Sequence, residues 1–350
     1  MLIDYKGACH IHTDYSDGRI SIPDVVTSAQ DADLDFIILS DHNTLLPKQD
    51  GWEGWHGNLL VIIGVEASPR YSGHFLALNT QPLNGNRDAA DFSRYEYMSS
   101  SDCLDDALDY GSTAYIVHPM GIKKRNLMIN LGAWHDWERN GFAGIEIWSY
   151  LIDWLEDLTF SNFRHFCKEP NLQITGPNPD LLSLWDRLGQ ERKVVGISGL
   201  DAHIRKIPFA RRPLFTYEEL FRTIRTHVLI DGELLKSNEA IHAVCNAHKE
   251  GRCYISFDLL EDATGFTFRA DTAGRSYQMG EEFFSSGEEV HYEATTPYPA
   301  TIKLLKDGKI YAERDSSFTL EFSSREKGVF RIEAYKDSKP WIFSNPIYAR

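Results

Sequence analysis

The sequence predicts an α/β barrel of alternating strands and helices, followed by a small all-β sandwich. Short apolar runs typical of buried strands recur through the first 257 residues, with helical segments between them. Histidines and carboxylates recur where these runs end. After about residue 257 the apolar runs become short, alternating and closely spaced. We therefore expect a barrel domain over residues 1–257 and an accessory domain over residues 258–350.

The first strand ends in a segment typical of a metal site, His-Ile-His-Thr-Asp-Tyr-Ser-Asp-Gly at residues 10–18. Side chains at positions i and i+2 of a strand face the same way, so His10 and His12 can bind one cation. Asp17 follows in the same segment. A His-x-His pair alone is weak evidence, and the interpretation depends on companions further along the chain.

Two helices have clear start or stop signals. Ser21 can cap a helix whose first turn contains Pro23. A second helix is predicted from about Asn238 to Glu250, and Gly251 is its stop signal. Helices in these positions fit an alternating α/β design.

Further metal-type residues follow later apolar runs. The run at 36–39 precedes Asp41 and His42, and the run at 60–65 precedes Glu66. In barrels of alternating strands and helices, the C-terminal strand ends converge on one face, where active sites are built. The alternative is a chance scatter of helix caps, core histidines and surface acids. We expect one pocket to contain His10, His12, Asp17, His42, Glu66, His74, His118, Asp201 and His203.

The segment after residue 257 predicts an immunoglobulin-like β-sandwich of under about 100 residues. Its clearest signal is Lys-Asp-Gly-Lys at 306–309, a hairpin turn between two strands. The paired cysteines of true immunoglobulin domains are missing from the sequence, and no metal-type cluster is evident there. Stabilisation of the barrel is the default role for such a domain.

The ligand types indicate the chemistry of the pocket. A mixed histidine and carboxylate shell suits zinc, iron or manganese, whereas calcium favours oxygen ligands only. Two or three such ions about 3.5–4 Å apart would lower the pKa of a bridging water and hold the attacking and leaving oxygens. The nucleophile would be metal-bound hydroxide, and the sequence has neither a Gly-x-Ser-x-Gly elbow nor a Gly-x-x-x-x-Gly-Lys loop.

In order, the motifs His-x-His-x-x-x-x-Asp-Gly, Ser-Asp-His-Asn-Thr, Gly-Val-Glu, His-Pro and Asp-Ala-His resemble those of the polymerase and histidinol phosphatase (PHP) superfamily. The resemblance runs from about Lys6 to Phe257. Within the superfamily the chain looks most like the carbaryl-hydrolase-type branch. The segments behind that likeness are Gly-His-Phe at 73–75, Ile-Glu-Ile-Trp at 145–148, Leu-Trp-Asp at 184–186 and Gly-Arg-Cys-Tyr at 251–254.

The resemblance implies a distorted (β/α)7 TIM-like barrel, the PHP fold, with two or three divalent metal ions of manganese, iron or zinc. Carried over by position, one metal is held by His10, His12, Glu66 and Asp201. Glu66 also bridges to a second metal, which is held by His74 and His118. The third metal is held by Asp17, His42 and His203.

Three further residues are predicted to serve catalysis. Asp41 either orients a ligating imidazole or relays a proton to the leaving group, or it simply caps the following turn. Basic residues follow two motifs, at 123–125 and at 205–212, and they either receive an anion or are solvated loop charges. Arg205 and Arg211 are the predicted phosphate contacts.

Two hydrolytic functions stay open. The phosphoesterase activity common in the superfamily and the basic residues at 123–125 and 205–212 favour a phosphoesterase acting on a small phosphate ester. The closer branch likeness and the aromatic segment from 123 to 192 favour hydrolysis of a carbamate, ester or amide, because aromatic pocket walls would select an apolar or aromatic group. A third hypothesis is a non-catalytic binding module. The sequence of such a module would be expected to lack one or more of the metal-ligand residues. The predicted partner is a small molecule, anionic or aromatic.

Composition excludes other partners. A net charge of −15 argues against nucleic acid, because phosphate backbones are bound by basic surfaces. Every stretch long enough to cross a bilayer contains charge, so no membrane partner is expected. The first residues do not form a basic and apolar leader, and five cysteines without Cys-x-x-Cys spacing indicate reduced thiols. A cytoplasmic location is expected unless an export signal precedes this sequence. The oligomeric state is not indicated.

Overall fold

The computed structural model describes residues 2–70, 72–80, 90–127, 129–203 and 213–350, and it is a mixed α/β protein. Its strands are β1 (Leu2–Ile11), β2 (Phe36–Leu39), β3 (Gly54–His56), β4 (Leu59–Ile63), β5 (Val65–Ala67), β6 (Phe75–Leu78), β7 (Thr113–Ile116), β8 (Ile122–Lys124), β9 (Ile129–Leu131), β10 (Phe142–Ser149), β11 (Val195–Gly199), β12 (Ile224–Asp231), β13 (Cys253–Phe257), β14 (Thr267–Asp271), β15 (Ser276–Gln278), β16 (Glu282–Phe283), β17 (Val290–Lys306), β18 (Lys309–Ser324), β19 (Gly328–Lys336), β20 (Lys339–Ser344) and β21 (Ile347–Ala349). Its helices are α1 (Ile22–Asp31), α2 (Leu46–Gln49), α3 (Ser100–Asp109), α4 (Tyr150–Glu156), α5 (Phe163–Lys168), α6 (Pro179–Glu191), α7 (Tyr217–Phe221) and α8 (Glu239–Glu250). No helix among the described residues is long and apolar enough to cross a lipid bilayer.

The strands of the first two hundred residues pair in a closed circuit. β1 pairs in parallel with β2, and β2 pairs in parallel with β4, which continues through Gly64 into β5. β5, β6 and β7 pair antiparallel, whereas β7, β10 and β11 pair in parallel. A parallel bridge between Ile11 and Ala202 joins the ends of β1 and β11 and closes the circuit. The strand ends that carry the predicted site residues are thereby brought together.

Helices do not separate every pair of strands, as a regular alternating pattern would require. α1 lies between β1 and β2, α3 lies between β6 and β7, and α4 to α6 lie between β10 and β11. Between β7 and β10, however, the chain forms the hairpin of β8 and β9. β5 and β6 form an antiparallel pair, with His74 directly before β6. The antiparallel pair and the hairpin replace two helical crossovers.

The local predictions with explicit capping or turn signals are confirmed. The Ser21 side chain accepts a hydrogen bond from the Asp24 N–H at the start of α1. Gly251 ends α8 with φ of 69°, a left-handed conformation that favours glycine. In the β17–β18 hairpin, Asp307 and Gly308 have φ of 51° and 79°, as a two-residue turn of type I′ requires.

The C-terminal strands continue the sheet of the circuit. β12 pairs antiparallel with β1, β13 pairs with β12, and β20 pairs with β13. β17 pairs with β14 through its first half, with β19 through its second half and with β18 along most of its length. The side chains between these strands form a hydrophobic core of their own, which includes Phe268, Ile332 and Trp341.

Side-chain contacts attach the C-terminal strands to the circuit at several points. Asn345 is buried, accepts a hydrogen bond from the Gly196 N–H and donates to the carbonyls of Gly196 and Cys253. The Tyr348 hydroxyl donates to the Val194 carbonyl. Because β11 carries Gly196 and leads to the site, these contacts brace a strand that positions site residues.

A buried histidine in β12 makes fold stability depend on pH. His227 Nδ1 lies 3.0 Å from Asp4 Oδ1, and His227 Nε2 lies 3.5 Å from Asp258 Oδ2. Burial lowers the pKa of His227, but Asp258 and Asp4 outweigh burial and raise it to about 9. A raised folded-state pKa stabilises the fold below the unfolded pKa of about 6.5, and this stabilisation is lost as the pH rises through 9.

We expect the His227→Gln variant to lose this pH dependence. The difference in unfolding free energy between the parent protein and the variant should shrink by about 3 kcal/mol between pH 6 and pH 10. Urea unfolding at the two pH values measures it, since contributions shared by both proteins cancel in the difference. His165→Gln, at an exposed position, is the matched control. A difference that stays constant with pH would contradict the prediction.

Candidate metal centre

The predicted metal ligands lie together where the strands of the circuit end. They form three groups in which the potential ligand atoms lie within 4.8 Å of one another. The first cluster is His10, His12, Glu66 and Asp201; the second cluster is Glu66, His74 and His118; the third cluster is His12, Asp17, His42 and His203. The grouping implied by the motifs differs in one respect, since His12 belongs to the first and third clusters.

The first cluster has the spacing of a metal site. His10 Nε2 lies 3.3 Å from Glu66 Oε2 and 3.5 Å from Asp201 Oδ1. His12 Nε2 lies 3.2 Å and 3.4 Å from the same two oxygens. An ion about 2.1 Å from each of four tetrahedral ligands requires ligand atoms about 3.4 Å apart. His10 Nε2, His12 Nε2 and Glu66 Oε2 are buried and have no hydrogen-bond partner among the described residues, as ligand atoms would.

The second cluster shares Glu66 with the first cluster and adds His74 and His118. Glu66 Oε1 lies 2.8 Å from His74 Nδ1 and 3.0 Å from His118 Nε2. Glu66 therefore presents one oxygen to the first cluster and the other to the second, as a bridging carboxylate would.

In the third cluster, Asp17 Oδ1 lies 2.8 Å from His203 Nε2 and 3.6 Å from His42 Nε2. Its distance to His12 Nδ1 is 4.0 Å, longer than the contacts of His12 Nε2 in the first cluster. His203 Nδ1 donates to the Asp201 carbonyl, and His42 Nδ1 lies 2.7 Å from Ser68 Oγ. These contacts leave the Nε2 atoms of His42 and His203 to face Asp17.

An unusual backbone places three of these side chains. His10, His118 and Asp201 have φ of 62°, 31° and 49°, in the region that residues other than glycine rarely adopt. In β1 the pairing with β2 shifts register between Ala8 and Ile11, so His10 lies at a bulge. His10 and His12 both belong to the first cluster, but a bulge and not regular strand alternation brings them together. Strained backbone of this kind concentrates at functional sites.

The carboxylates of the centre are held ionised. Burial raises the pKa of Asp17, but the hydrogen bond to His203 and the charges of His203, His42 and His12 together outweigh burial and lower this pKa to about 2. Burial also opposes ionisation of Glu66 and Asp201, yet facing histidines, His10 among them, hold both pKa values below the ordinary carboxyl range. Glu66 and Asp201 are buried, Asp17 is exposed, and all three carboxylates face histidine nitrogens. Carboxylates and histidines grouped in this way suit divalent cations.

Glu146 belongs to the centre although it was not predicted as a site residue. Its Oε1 accepts a hydrogen bond from His10 Nδ1 at 2.9 Å, and its Oε2 accepts one from the His118 N–H at 2.8 Å. The first bond fixes the His10 tautomer and turns Nε2 towards the first cluster. The one available signal was a carboxylate inside the apolar run Ile-Glu-Ile-Trp of a strand buried on both faces.

Glu146→Gln is expected to weaken metal binding at the first cluster by about 10- to 100-fold. The amide keeps the size of the side chain but removes the charge that holds the His10 proton on Nδ1. Titration of the metal-free protein with zinc measures the change. Glu156→Gln, an exposed substitution in nearby α4, is the matched control and should bind as the parent does. Equal zinc affinity in the Glu146→Gln variant would rule out this positioning role.

Asp41 contacts the loop after β1, and these contacts differ from the histidine ring or following turn predicted as its partner. Its carboxylate accepts hydrogen bonds from the Thr13 N–H, the Thr13 hydroxyl and the Ser16 hydroxyl, at 2.6–2.7 Å. It therefore fixes the loop that leads to Asp17, and it is a positioning residue. In these contacts it neither holds a histidine ring nor caps the turn that follows it.

Other sequence predictions have separate outcomes. Arg205 and Arg211, the predicted phosphate contacts, lie outside the described residues.

A fourth group, on the C-terminal strands, contains His291, Glu293 and Glu321, although no metal-type cluster was expected there. Arg269 pairs with Glu293 at 2.9 Å and already compensates part of its charge.

A cavity of about 660 Å³ opens over the three clusters. The cluster residues that line it are Asp17, His42, Glu66, His74, His118, Asp201 and His203. A smaller cavity of about 300 Å³ shares His118 and Ile122 with it and is lined by Glu146, Lys123 and Lys124. Clefts of this size are typical of small-molecule sites.

No protein-family model matches the chain, and no curated protein is significantly similar to it. Among solved structures, a two-domain protein from Bacteroides vulgatus containing a predicted PHP-like metal-dependent phosphoesterase is 16% identical, with 99% of this chain and 95% of that chain covered and a TM-score of 0.43. PsfC from Pseudomonas syringae is 13% identical, with 73% and 92% covered and a TM-score of 0.45. An amidohydrolase from Chromobacterium violaceum with bound sulfate and no metal is 16% identical, with 61% and 95% covered and a TM-score of 0.33. These superpositions are loose, and the interpretation of the centre follows from its own geometry.

Proposed function

We propose that this protein is a metal-dependent hydrolase of the PHP type, with two or three divalent ions of manganese, iron or zinc. The observation that carries the proposal is the set of three histidine and carboxylate clusters that share Glu66 and His12 beneath one cavity. When bound, the ions would lower the pKa of a coordinated water and polarise the bond to be cleaved.

The protein's own residues have three tasks in this proposal. The cluster side chains hold the ions, and Glu66 links two of the clusters through its separate oxygens. Glu146 fixes the orientation of His10, and Asp41 fixes the loop that carries Asp17. No serine or cysteine nucleophile is required, because the attacking group comes from water.

The proposed architecture follows the same family. We propose that the closed circuit of β1, β2, β4 with β5, β6, β7, β10 and β11 is its distorted (β/α)7 barrel, within residues 1–257. Residues 258–350 would then form an immunoglobulin-like sandwich that stabilises the barrel. The hydrogen bonds of Asn345 and Tyr348 to the β11 region support that role.

The first candidate substrate is a small phosphate ester, with Arg205 and Arg211 as phosphate contacts. The second candidate is a carbamate, ester or amide. A specific observation favours the second: apolar side chains, among them Leu131, Leu151 and Phe163, line the larger cavity. Such walls suit the apolar or aromatic part of a carbamate, ester or amide.

A paired substrate panel tests the proposal. Protein reconstituted with manganese or zinc is assayed on chromogenic phosphate mono- and diesters, and on aryl carbamates and esters. We expect turnover that is lost on chelation and in His42→Ala, and retained in the exposed control His165→Ala. Phosphate turnover would support the first substrate, and carbamate or ester turnover would support the second. No turnover in protein shown to contain metal would favour a non-catalytic binding module instead.

A further inference from the structure

The larger cavity has one polar side and otherwise apolar walls. Opposite the clusters lie Leu131 and Ile129 of β9, Leu151 and Leu155 of α4, and Phe163 of α5. Several of these side chains are only half-buried, so they are not ordinary core residues. Apolar surface left facing an open cavity is unfavourable unless a ligand covers it.

The β8–β9 hairpin forms one apolar wall. Ile122 pairs with Leu131, and Lys123 pairs with Asn130. Ile122 and Leu131 are half-buried and line the cavity, whereas Lys123 and Asn130 are exposed. The alternation of the strands thus places Ile122, Ile129 and Leu131 on the face towards the cavity. Lys124, which pairs with Ile129, shares this face, and its Nζ donates to the Glu156 carbonyl of α4. This hairpin lies where the alternating design would have a helix.

Helix α4 and the segment after it form another wall. Leu151 and Leu155 are four residues apart and share one face of α4, and Leu158, two residues beyond the end of the helix, also lines the cavity. Trp154 also lines the cavity and packs edge-on against Phe215, with ring centroids 5.3 Å apart. Aromatic and aliphatic side chains at this spacing make a continuous apolar surface.

We infer that the substrate carries an uncharged apolar group, an alkyl chain or an aromatic ring, which fills this cavity while the bond to be cleaved lies at the clusters. The inference rests on the proposed hydrolase function. Two observations support it: the apolar walls and a volume of about 660 Å³. That volume lies within the range of small-molecule sites, so the occupant is a small molecule.

Binding of n-alkyl hydroxamates to the zinc-loaded protein tests the inference without requiring turnover. The hydroxamate head chelates metal ions through two oxygens, so acetohydroxamate alone reports the clusters. We expect the dissociation constant to fall by about fourfold for each added methylene from acetohydroxamate to octanohydroxamate. Isothermal titration calorimetry measures each member of the series.

Two variants of cavity-wall residues test where the alkyl chain of the hydroxamate binds. Leu131→Gln and Leu151→Gln change half-buried residues of different walls and should flatten the dependence on chain length while acetohydroxamate still binds. Leu235→Gln, at a residue that is 64% exposed, is the matched control. Acetohydroxamate binding without a chain-length effect, or an effect unchanged in both wall variants, would overturn this inference and leave the metal centre intact. Failure of acetohydroxamate to bind would overturn both the inference and the metal centre.

Discussion

Replacing Glu66 by glutamine is expected to remove metal from two clusters at once and to reduce turnover at least about a thousandfold. Glu66 is fully enclosed, and both of its carboxylate oxygens face histidine nitrogens. Glutamine has nearly the same volume, so the change removes charge without creating a cavity. A neutral amide can offer a single oxygen, and its NH₂ group would face a histidine nitrogen that the proposed metal requires as a ligand.

The contacts of Glu66 explain why the expected effect exceeds that of Glu146→Gln. Glu66 Oε2 lies 3.0 Å from His42 Nδ1 and 3.2 Å from His12 Nε2, while Oε1 serves the second cluster. Glu146 reaches the first cluster only through the far nitrogen of His10. A residue shared between ion sites should therefore matter more than one that orients a single ligand.

Metal content and turnover measure the Glu66 prediction together. Elemental analysis of zinc-reconstituted protein should show fewer ions per chain in Glu66→Gln, with an unchanged circular dichroism spectrum. Glu53→Gln is the matched control, because Glu53 pairs with Lys48 and accepts a hydrogen bond from the Ile63 N–H away from the clusters. Full metal content in Glu66→Gln would refute the bridging role.

Several of the predicted site residues directly follow a buried apolar run, and such runs can be recognised locally. His118 after Ala-Tyr-Ile-Val and Glu66 after Leu-Val-Ile-Ile-Gly-Val are examples. The structure places both within one cavity. The predicted helix over 238–250 and the turn at 306–309 depended on capping glycine and turn chemistry, which also act locally.

Features that depend on distant contacts could not be predicted. Glu146 acts through His10, which is 136 positions away, and only the folded circuit brings the two strands together. The bulge at His10 arises where β1 meets β2 and the β11 end, so the sequence of β1 alone does not indicate it. The β8–β9 hairpin lies between β7 and β10, where a regular alternation of strands and helices would have a helix, and its pairing is seen only in the folded chain.

Arg331→Met is expected to destabilise the fold by about 3–5 kcal/mol. Arg331 of β19 is buried, and its Nε and Nη2 donate to the two oxygens of Asp186 in α6, at 2.6 Å and 2.8 Å. Its Nη1 donates to Glu333 Oε1 at 2.6 Å. Methionine fills similar space but leaves two buried carboxylates without their cation, so the cost exceeds the loss of packing alone.

The same pair tests whether the C-terminal strands stabilise the closed circuit, because Arg331 lies in β19 and Asp186 lies in α6, between β10 and β11 of the circuit. Urea unfolding followed by tryptophan fluorescence gives the change in free energy. The double variant Asp186→Leu with Arg331→Met should recover much of the loss, since it removes one stranded carboxylate. Arg275→Met, which breaks the exposed pair with Glu281, is the control and should cost under about 1 kcal/mol. If Arg331→Met lowers the free energy of unfolding no more than the control does, this contact does not stabilise the packing of the C-terminal strands on the closed circuit.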